Sequence, residues 1–364
     1  MRGEPTAAQL QQAHAGCDQF LGGSGWRDPA TQLAAIPLDT EADVYGAGGV
    51  VTVLEGEIAA ELGKEAALFL ITGTMAQQAT LRVHADRRST RTIAFHPTCH
   101  LDVHEERAYE RLHGLSAVTC GSWAEPLTRS DLDQVREPIA ALVVELPNRT
   151  LGGTLPSWEE LCAQVEWARM RGAAAHLDGA RLWEAAPYYE ATAGKSRAEV
   201  AGLFDTVYVS FYKGLGAIAG CCVAGDQATI DELRVWRIRH GGRAFGLWPY
   251  AASARAAYLA LGDRFGAHYR RALQLGRALN KLEHVEVLPR PVQSAMLHVR
   301  LEGPRARIRQ RMLSIARDEG IWMFGAPFAV EGPNLQRFEL TVGEATLALR
   351  VADVVELFER VVAH

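Results

Sequence analysis

The sequence has no excess of positive charge and no long apolar run, and each absence closes off a class of function. Its 38 Lys and Arg stand against 43 Asp and Glu, a formal net charge of −5. Nothing in that balance supplies the cationic footprint that phosphate backbones require, so nucleic acid is not an expected partner. No window approaches the roughly 18 uninterrupted apolar residues of a membrane helix. The first 20 residues also lack the apolar core, roughly 7–15 residues long, of a secretory signal. No membrane association is expected. Cysteine is scarce: six, at positions 17, 99, 120, 162, 221 and 222, with no C-x-x-C spacing. Cys221 and Cys222 lie side by side in an apolar stretch, where a reduced thiol behaves as a small hydrophobe. The expectation is a cytoplasmic protein with free thiols. Internal repeats and low-complexity segments are absent.

What is present is an ordinary globular composition, 48% hydrophobic and 22% charged, in 364 residues. At roughly 100–200 residues per domain, that length suggests two or three domains. Glycine, at 34 residues, is somewhat above the usual ~7% and clusters at particular turns. From about 45 to 225, short apolar runs alternate with helical patterns, the signature of an α/β sheet with crossover helices. Strands are expected at 65–71, 92–95, 117–119, 139–145, 173–177 and 205–211, with helices from Thr74 onward and from Trp158 to Arg171. After Pro249 a helix-rich stretch leads into strands at 285–288, 295–300, 321–324 and 337–342, with helices at 304–318 and 347–362. The expected fold is therefore a mostly parallel sheet with helices on both faces, residues 46–250, followed by a smaller α+β domain, 251–364. An N-terminal arm, 1–45, carries a Gly-Gly-Ser-Gly turn at 22–25.

Open α/β sheets bind ligands at the carboxyl ends of their strands, and three such ends stand out. Leu70-Ile-Thr-Gly-Thr-Met-Ala76 runs from a strand through Gly73 into a helix, whose first amides and dipole form an anion site. Gly73 permits close backbone approach and the Thr74 hydroxyl can reach a phosphate; the plain alternative is a threonine helix cap. In Ala174-Ala-His-Leu-Asp-Gly-Ala-Arg181, alternation puts His176 and Asp178 on one face. Asp178 could pair with a protonated heteroaromatic nitrogen, as pyridoxal phosphate requires, or merely cap the next helix. Finally, Lys213 closes the uncharged run 206–212 and is followed by Gly-Leu-Gly. Desolvation lowers the basicity of such a lysine and favours the neutral amine needed for a Schiff base. Lysines such as Lys195 and Lys281 instead suit a surface helix.

In these segments the sequence resembles the threonine aldolase and β-eliminating lyase family of pyridoxal-phosphate enzymes, which have the aspartate-aminotransferase-like fold. The resemblance rests on Ala42-Asp-Val-Tyr-Gly46, Leu62-Gly-Lys-Glu-Ala-Ala-Leu-Phe69, Thr72-Gly-Thr-Met-Ala76, His176-Leu-Asp-Gly-Ala-Arg-Leu182 and Lys213-Gly-Leu-Gly216, in family order over roughly residues 40–245. It implies that Lys213 forms the Schiff base with pyridoxal 5'-phosphate and that Asp178 partners the pyridine nitrogen. Gly73, Thr74 and Met75 would meet the phosphate, and His100 would stack on the ring and serve in proton transfer. Arg181 would lie near the phenolic oxygen and the substrate carboxylate. Arg337 matches a carboxylate-binding arginine, and Tyr45 lies where the family keeps a tyrosine near the β-hydroxyl. The implied substrate is a small amino acid and the implied assembly a homodimer or homotetramer with its active site at a subunit interface. A zinc site built on His96, His100 and His104, with Cys99 and Glu105 close by, is disfavoured, because Pro97 interrupts any continuous helix and no second ligand cluster completes a tetrahedral set. No metal is expected.

The sequence also departs from the family pattern. Tyr212 precedes the lysine where threonine aldolases usually carry serine. Asn148 stands where the Glu-Asn-x-His-Asn segment would place a second histidine, and asparagine can hydrogen-bond but cannot act as a general base. The family's N-terminal Asp-x-x-Thr-x-Pro segment is not recognisable; Ser24 and Trp26 occupy that region. Arg239-His-Gly-Gly-Arg243 resembles a glycine loop that reaches a neighbouring subunit's phosphate, with the arginine register shifted. The resemblance implies retro-aldol cleavage of a β-hydroxy-α-amino acid, threonine-like, to glycine and an aldehyde. The alternatives are β-elimination or side-chain exchange on a serine- or cysteine-like amino acid, and a non-catalytic pyridoxal-binding protein.

Overall fold

Runs such as Ala-Leu-Val-Val-Glu at 141–145 carry no polar face, and as strands they must be covered on both sides. In the computed structural model, which describes residues 4–23, 25 and 27–363, they are. Leu142, Val143 and Val144 are all buried although they alternate between faces. Ser24 and Trp26 lie outside the described residues.

Seven strands form one sheet in the order 66–70, 221–225, 206–210, 174–179, 141–145, 92–95 and 116–119. All neighbours are parallel except Cys221–Gly225, which runs antiparallel to both of its partners. That strand was not anticipated, because five residues of Cys-Cys-Val-Ala-Gly carry no alternation to mark a strand. The expected mostly parallel α/β sheet is otherwise what the chain forms. Its register matters for function: Glu145 pairs with Asp178 and Asp178 with Tyr208, so three side chains stand side by side across three parallel strands. Leu81 and Ala85 of the helix Gly73–Arg88 pack on Ile93, Phe95 and Val143, which seats that helix on the sheet.

The chain divides into two units. The larger takes in Pro29–Leu151 and Leu155–Gly262; the smaller takes in the chain up to Asp28, the segment Gly152–Thr154 and the chain from Asp263 onward. The described residues up to Asp28 thus fold with the C-terminal part rather than standing as a separate arm. Gln19–Phe20 pairs in parallel with Ile321–Trp322, and Ala13 packs on Leu313 and Ala316. Residues 251–262 stay with the larger unit, because the helix Trp248–Leu261 packs on Gly49–Glu61 and Arg255 is bidentate to Glu57. The smaller unit carries a four-stranded antiparallel sheet in the order 329–332, 335–341, 296–302 and 285–288. Its core includes Leu297, Val299, Phe338 and Phe358. The helix expected over 347–362 is two, Glu344–Ala348 and Val351–Val362, because Leu349 and Arg350 are extended.

Candidate active site

The helix Gly73–Arg88 is capped by Thr72, whose hydroxyl accepts from the Met75 amide at 3.3 Å, and not by Thr74, which is exposed. The first amides, those of Gly73 and Thr74, therefore open the helix without an intrahelical acceptor. Arg87 and Arg88 in its last turn complement the dipole at the other end. Gly73 lies against Tyr208: a Cβ there would come within 2.2 Å of the phenolic oxygen. Only glycine fits this approach. Met75 in turn lies against Gly242 of the Arg239–Arg243 loop.

Asp178 is buried and accepts from the Ala180 amide at 3.1 Å. Two residues earlier on the same face, His176 is held between Gln77 Oε1 at 2.5 Å and Thr206 Oγ1 at 2.8 Å. Lys213, in the turn beyond the strand Thr206–Ser210, faces Arg181, Asp178, Glu145 and Glu184. Burial and the Arg181 guanidinium hold its amine below the usual lysine range, while the three carboxylates oppose them. Glu145 moves the other way: burial, and then the neighbouring Asp178, push its carboxyl up. Its Oε1 accepts from the Arg149 amide at 3.2 Å. Tyr212, immediately before Lys213, interacts with Tyr208 through their hydroxyls.

His100 opens the short helix His100–Val103, and its Nδ1 lies 3.0 Å from Glu105 Oε1. Gln78 donates to the other oxygen of Glu105 at 2.8 Å, so that carboxylate is fixed from both sides. His96 turns elsewhere, to Thr98 Oγ1 at 2.7 Å and the Glu125 carbonyl at 2.9 Å. Asn148 is buried in the same network, donating to Thr98 Oγ1 at 3.0 Å and accepting from the Leu151 amide at 3.1 Å.

The structure therefore brings Lys213, Asp178 and Arg181 together, with Gly73 set against the neighbouring Tyr208. Tyr45 lies in a turn with positive φ (54°); its amide donates to the Phe245 carbonyl and its ring meets Phe245 and the Arg243 guanidinium. Arg337 belongs to the smaller unit, where its Nε lies 3.3 Å from Glu331 and its guanidinium lies over Phe328. Sequence reasoning noticed Glu105 only beside the histidines of the disfavoured zinc reading, and missed Gln78, Glu184 and Tyr208. Of these only Tyr208 carried a signal, since it shares the alternation of the strand that leads to Lys213.

A lysine made less basic by burial, a buried aspartate on the adjoining strand and a glycine-opened helix N-terminus define the site of a pyridoxal-phosphate enzyme. Comparison with known proteins agrees. Residues 29–302 match the beta-eliminating lyase family, and the chain belongs to it. A structure from Listeria monocytogenes, described as a candidate L-allo-threonine aldolase, is 35% identical with a TM-score of 0.91, covering 98% of each chain. One from an Exiguobacterium species, described as a candidate aromatic amino acid beta-eliminating lyase/threonine aldolase, is 36% identical with a TM-score of 0.90, covering 97% of this chain and 99% of that one. The aldolase vrtJ of Penicillium aethiopicum is 33% identical over 242 residues, 64% of this chain and 60% of that protein's own length.

Proposed function

We propose that the protein is a pyridoxal-phosphate-dependent aldolase that cleaves a β-hydroxy-α-amino acid, threonine-like, to glycine and an aldehyde. The observation that carries this reading is the meeting of Lys213, Asp178 and Arg181 at one carboxyl edge of the large sheet. The aldolase descriptions of its relatives support it.

The donor set fits the cofactor. Asp178 is a buried carboxylate whose position suits a protonated ring nitrogen, and the place of a side chain at 73 is taken by Tyr208. Lys213 would carry the cofactor, Asp178 its ring nitrogen, the opening amides of Gly73 and Thr74, with Met75 beside them, its phosphate, and His100 would stack on its ring. When bound, pyridoxal phosphate supplies an electron sink for charge developing at the substrate's Cα. The remaining work falls to the chain. Arg181 offers its guanidinium fork to the substrate carboxylate. Lys213, made less basic by burial, is more readily the neutral amine. His100 presents Nδ1 to Glu105, which leaves Nε2 to take the β-hydroxyl proton as the Cα–Cβ bond breaks. Tyr45 would lie toward that hydroxyl.

A second reading, β-elimination or side-chain exchange on a serine- or cysteine-like amino acid, is favoured by one observation. Asn148, where a second histidine would help with the hydroxyl, is bound to Thr98 and cannot act as a base. A panel of β-hydroxy amino acids tests both. Glycine with an aldehyde supports the aldolase; a keto acid with ammonia overturns it in favour of elimination; neither product overturns both. Lys213→Ala should lose the visible band of bound cofactor, and a retained band removes Lys213 from its role. We further propose a homo-oligomer, which sedimentation of the holoprotein checks. A reducing, cytoplasmic setting suits its free thiols; no described helix is long and apolar enough to cross a membrane.

A further inference from the structure

Glu184 is the most deeply buried acidic group beside the candidate site, and the reading above gives it no task. It lies in the first turn of the helix Leu182–Ala193, three residues past Arg181, and is fully buried. The Gly214 amide faces its carboxyl, yet neither oxygen completes a hydrogen bond. A buried, unsatisfied ionisable group is costly and persists where other interactions or function hold it there. Its packing shows what holds this one. A Cβ at Gly214 would come within 2.4 Å of Glu184 Oε1 and 2.6 Å of Cδ, so any larger residue at 214 would displace the carboxyl. Gly214 immediately follows Lys213.

The charged groups facing Lys213 are Arg181, just before that helix, Asp178 and Glu145 on two strands, and Glu184. Alone among the three carboxylates, Glu184 comes from a helix and presses on the lysine's own turn. Glu184 in turn faces Arg181 and Lys213. The glycine at 214 is thereby explained as room for a carboxylate and not only as a flexible turn.

We propose that Glu184 is a positioning residue for Lys213: its carboxylate, buried against Gly214, balances Arg181 and supplies the counter-charge that holds the lysine nitrogen in place. This rests on Lys213 being the cofactor's anchor. No bond is made or broken; the lysine nitrogen keeps its proton more readily because a carboxylate stands beside it. Removing that charge lowers the affinity of the nitrogen for its proton, whereas removing a mere space-filler of the same shape does not.

The test is a pH titration of the visible band of the holoprotein. Glu184→Gln should move the midpoint toward acid by about one pH unit, a tenfold loss of proton affinity, with Glu184→Asp in between. An unshifted midpoint in Glu184→Gln, or a shift toward alkaline pH, overturns the proposal. Should Glu184→Gln not accumulate as folded protein, Glu184→Leu, which also removes the charge at similar volume, decides by the same criterion. Lys213→Ala separates the two readings. If it keeps the band, the anchor assignment fails; if it loses the band while Glu184→Gln leaves the midpoint in place, only the role of Glu184 fails.

Discussion

At Gly73 a hydrogen atom occupies the place of a side chain, with the Tyr208 hydroxyl 2.2 Å from where a Cβ would stand and the carbon bearing it at 2.8 Å. Both groups are buried between the helix Gly73–Arg88 and the sheet, so neither can yield without moving an element. Gly73→Ala should therefore destabilise the protein by about 1–3 kcal/mol, the usual penalty of overpacking, and weaken retention of the cofactor. Adding Tyr208→Phe removes the nearest clashing atom but leaves its ring carbon, so the double variant should recover part of the loss. Thermal unfolding and the bound-cofactor spectrum check both. A Gly73→Ala protein as stable as wild type would show that the close approach is not limiting. Single residues were legible in the sequence only where they broke a local rule. Lys213 stood out because a charge ends an apolar strand, and Asp178 because Gly-Ala-Arg follows it. Glu184 broke no such rule, since nothing local announces that tertiary packing buries it.

Between elements, one hydroxyl does the work of several contacts. Thr206 Oγ1 lies 2.8 Å from His84 Nε2 and 2.8 Å from His176 Nδ1, while His176 Nε2 meets the Gln77 carbonyl oxygen. That oxygen only accepts, so His176 carries its proton on Nε2 and its Nδ1 accepts from Thr206. Thr206 in turn accepts from His84 Nε2–H. The chain ties the helix Gly73–Arg88 to two strands, one of which carries Asp178 near its carboxyl end. Thr206→Val keeps the shape but leaves the His176 acceptor and the His84 donor buried without their partner. The expected cost is about 1–3 kcal/mol, read as a lower denaturant midpoint; a variant equal to wild type would refute the shared-hydroxyl arrangement. At this scale the sequence was most informative about parallel strands, whose apolar runs are bounded by turns. Cys221–Gly225 was missed because pairing with partners on both sides, not its own pattern, makes it a strand. The short strand Ala329–Gly332 exists because the register with Leu335–Thr341 admits it, through an irregularity between Val330 and Gly332. Arg337 follows from the same ladder: its position is fixed by pairing with Arg300, and its Glu331 partner by that irregularity. Neither is visible in the local sequence.

Over the whole molecule, buried titratable groups set how the fold responds to acid, and they pull in two directions. Burial lowers the basicity of His113 and His176, each to about 4, and of His84. The unfolded chain binds protons at such histidines from about pH 6.5 downward, where the folded chain does not. Each therefore stabilises the fold above that pH, and its contribution is lost as pH falls toward 4. For a fully shifted histidine this is of order 3 kcal/mol. Glu55, Glu145 and Glu184 act with the opposite sign, because burial raises their carboxyls and the folded state takes up protons first. Total stability against pH is thus a difference of opposing slopes, and only a comparison between variants isolates one group. His113 suits that comparison: it is buried, stacked on His240 at 5.0 Å and edge-on to Trp236, and not among the candidate site residues. His113→Phe keeps an aromatic ring in that stack and removes the titration. Denaturant unfolding of both proteins between pH 7 and 4 should show the variant losing less stability as pH falls, by up to one proton's worth of slope. Parallel curves would mean that His113 titrates in the folded protein as it does in the unfolded chain.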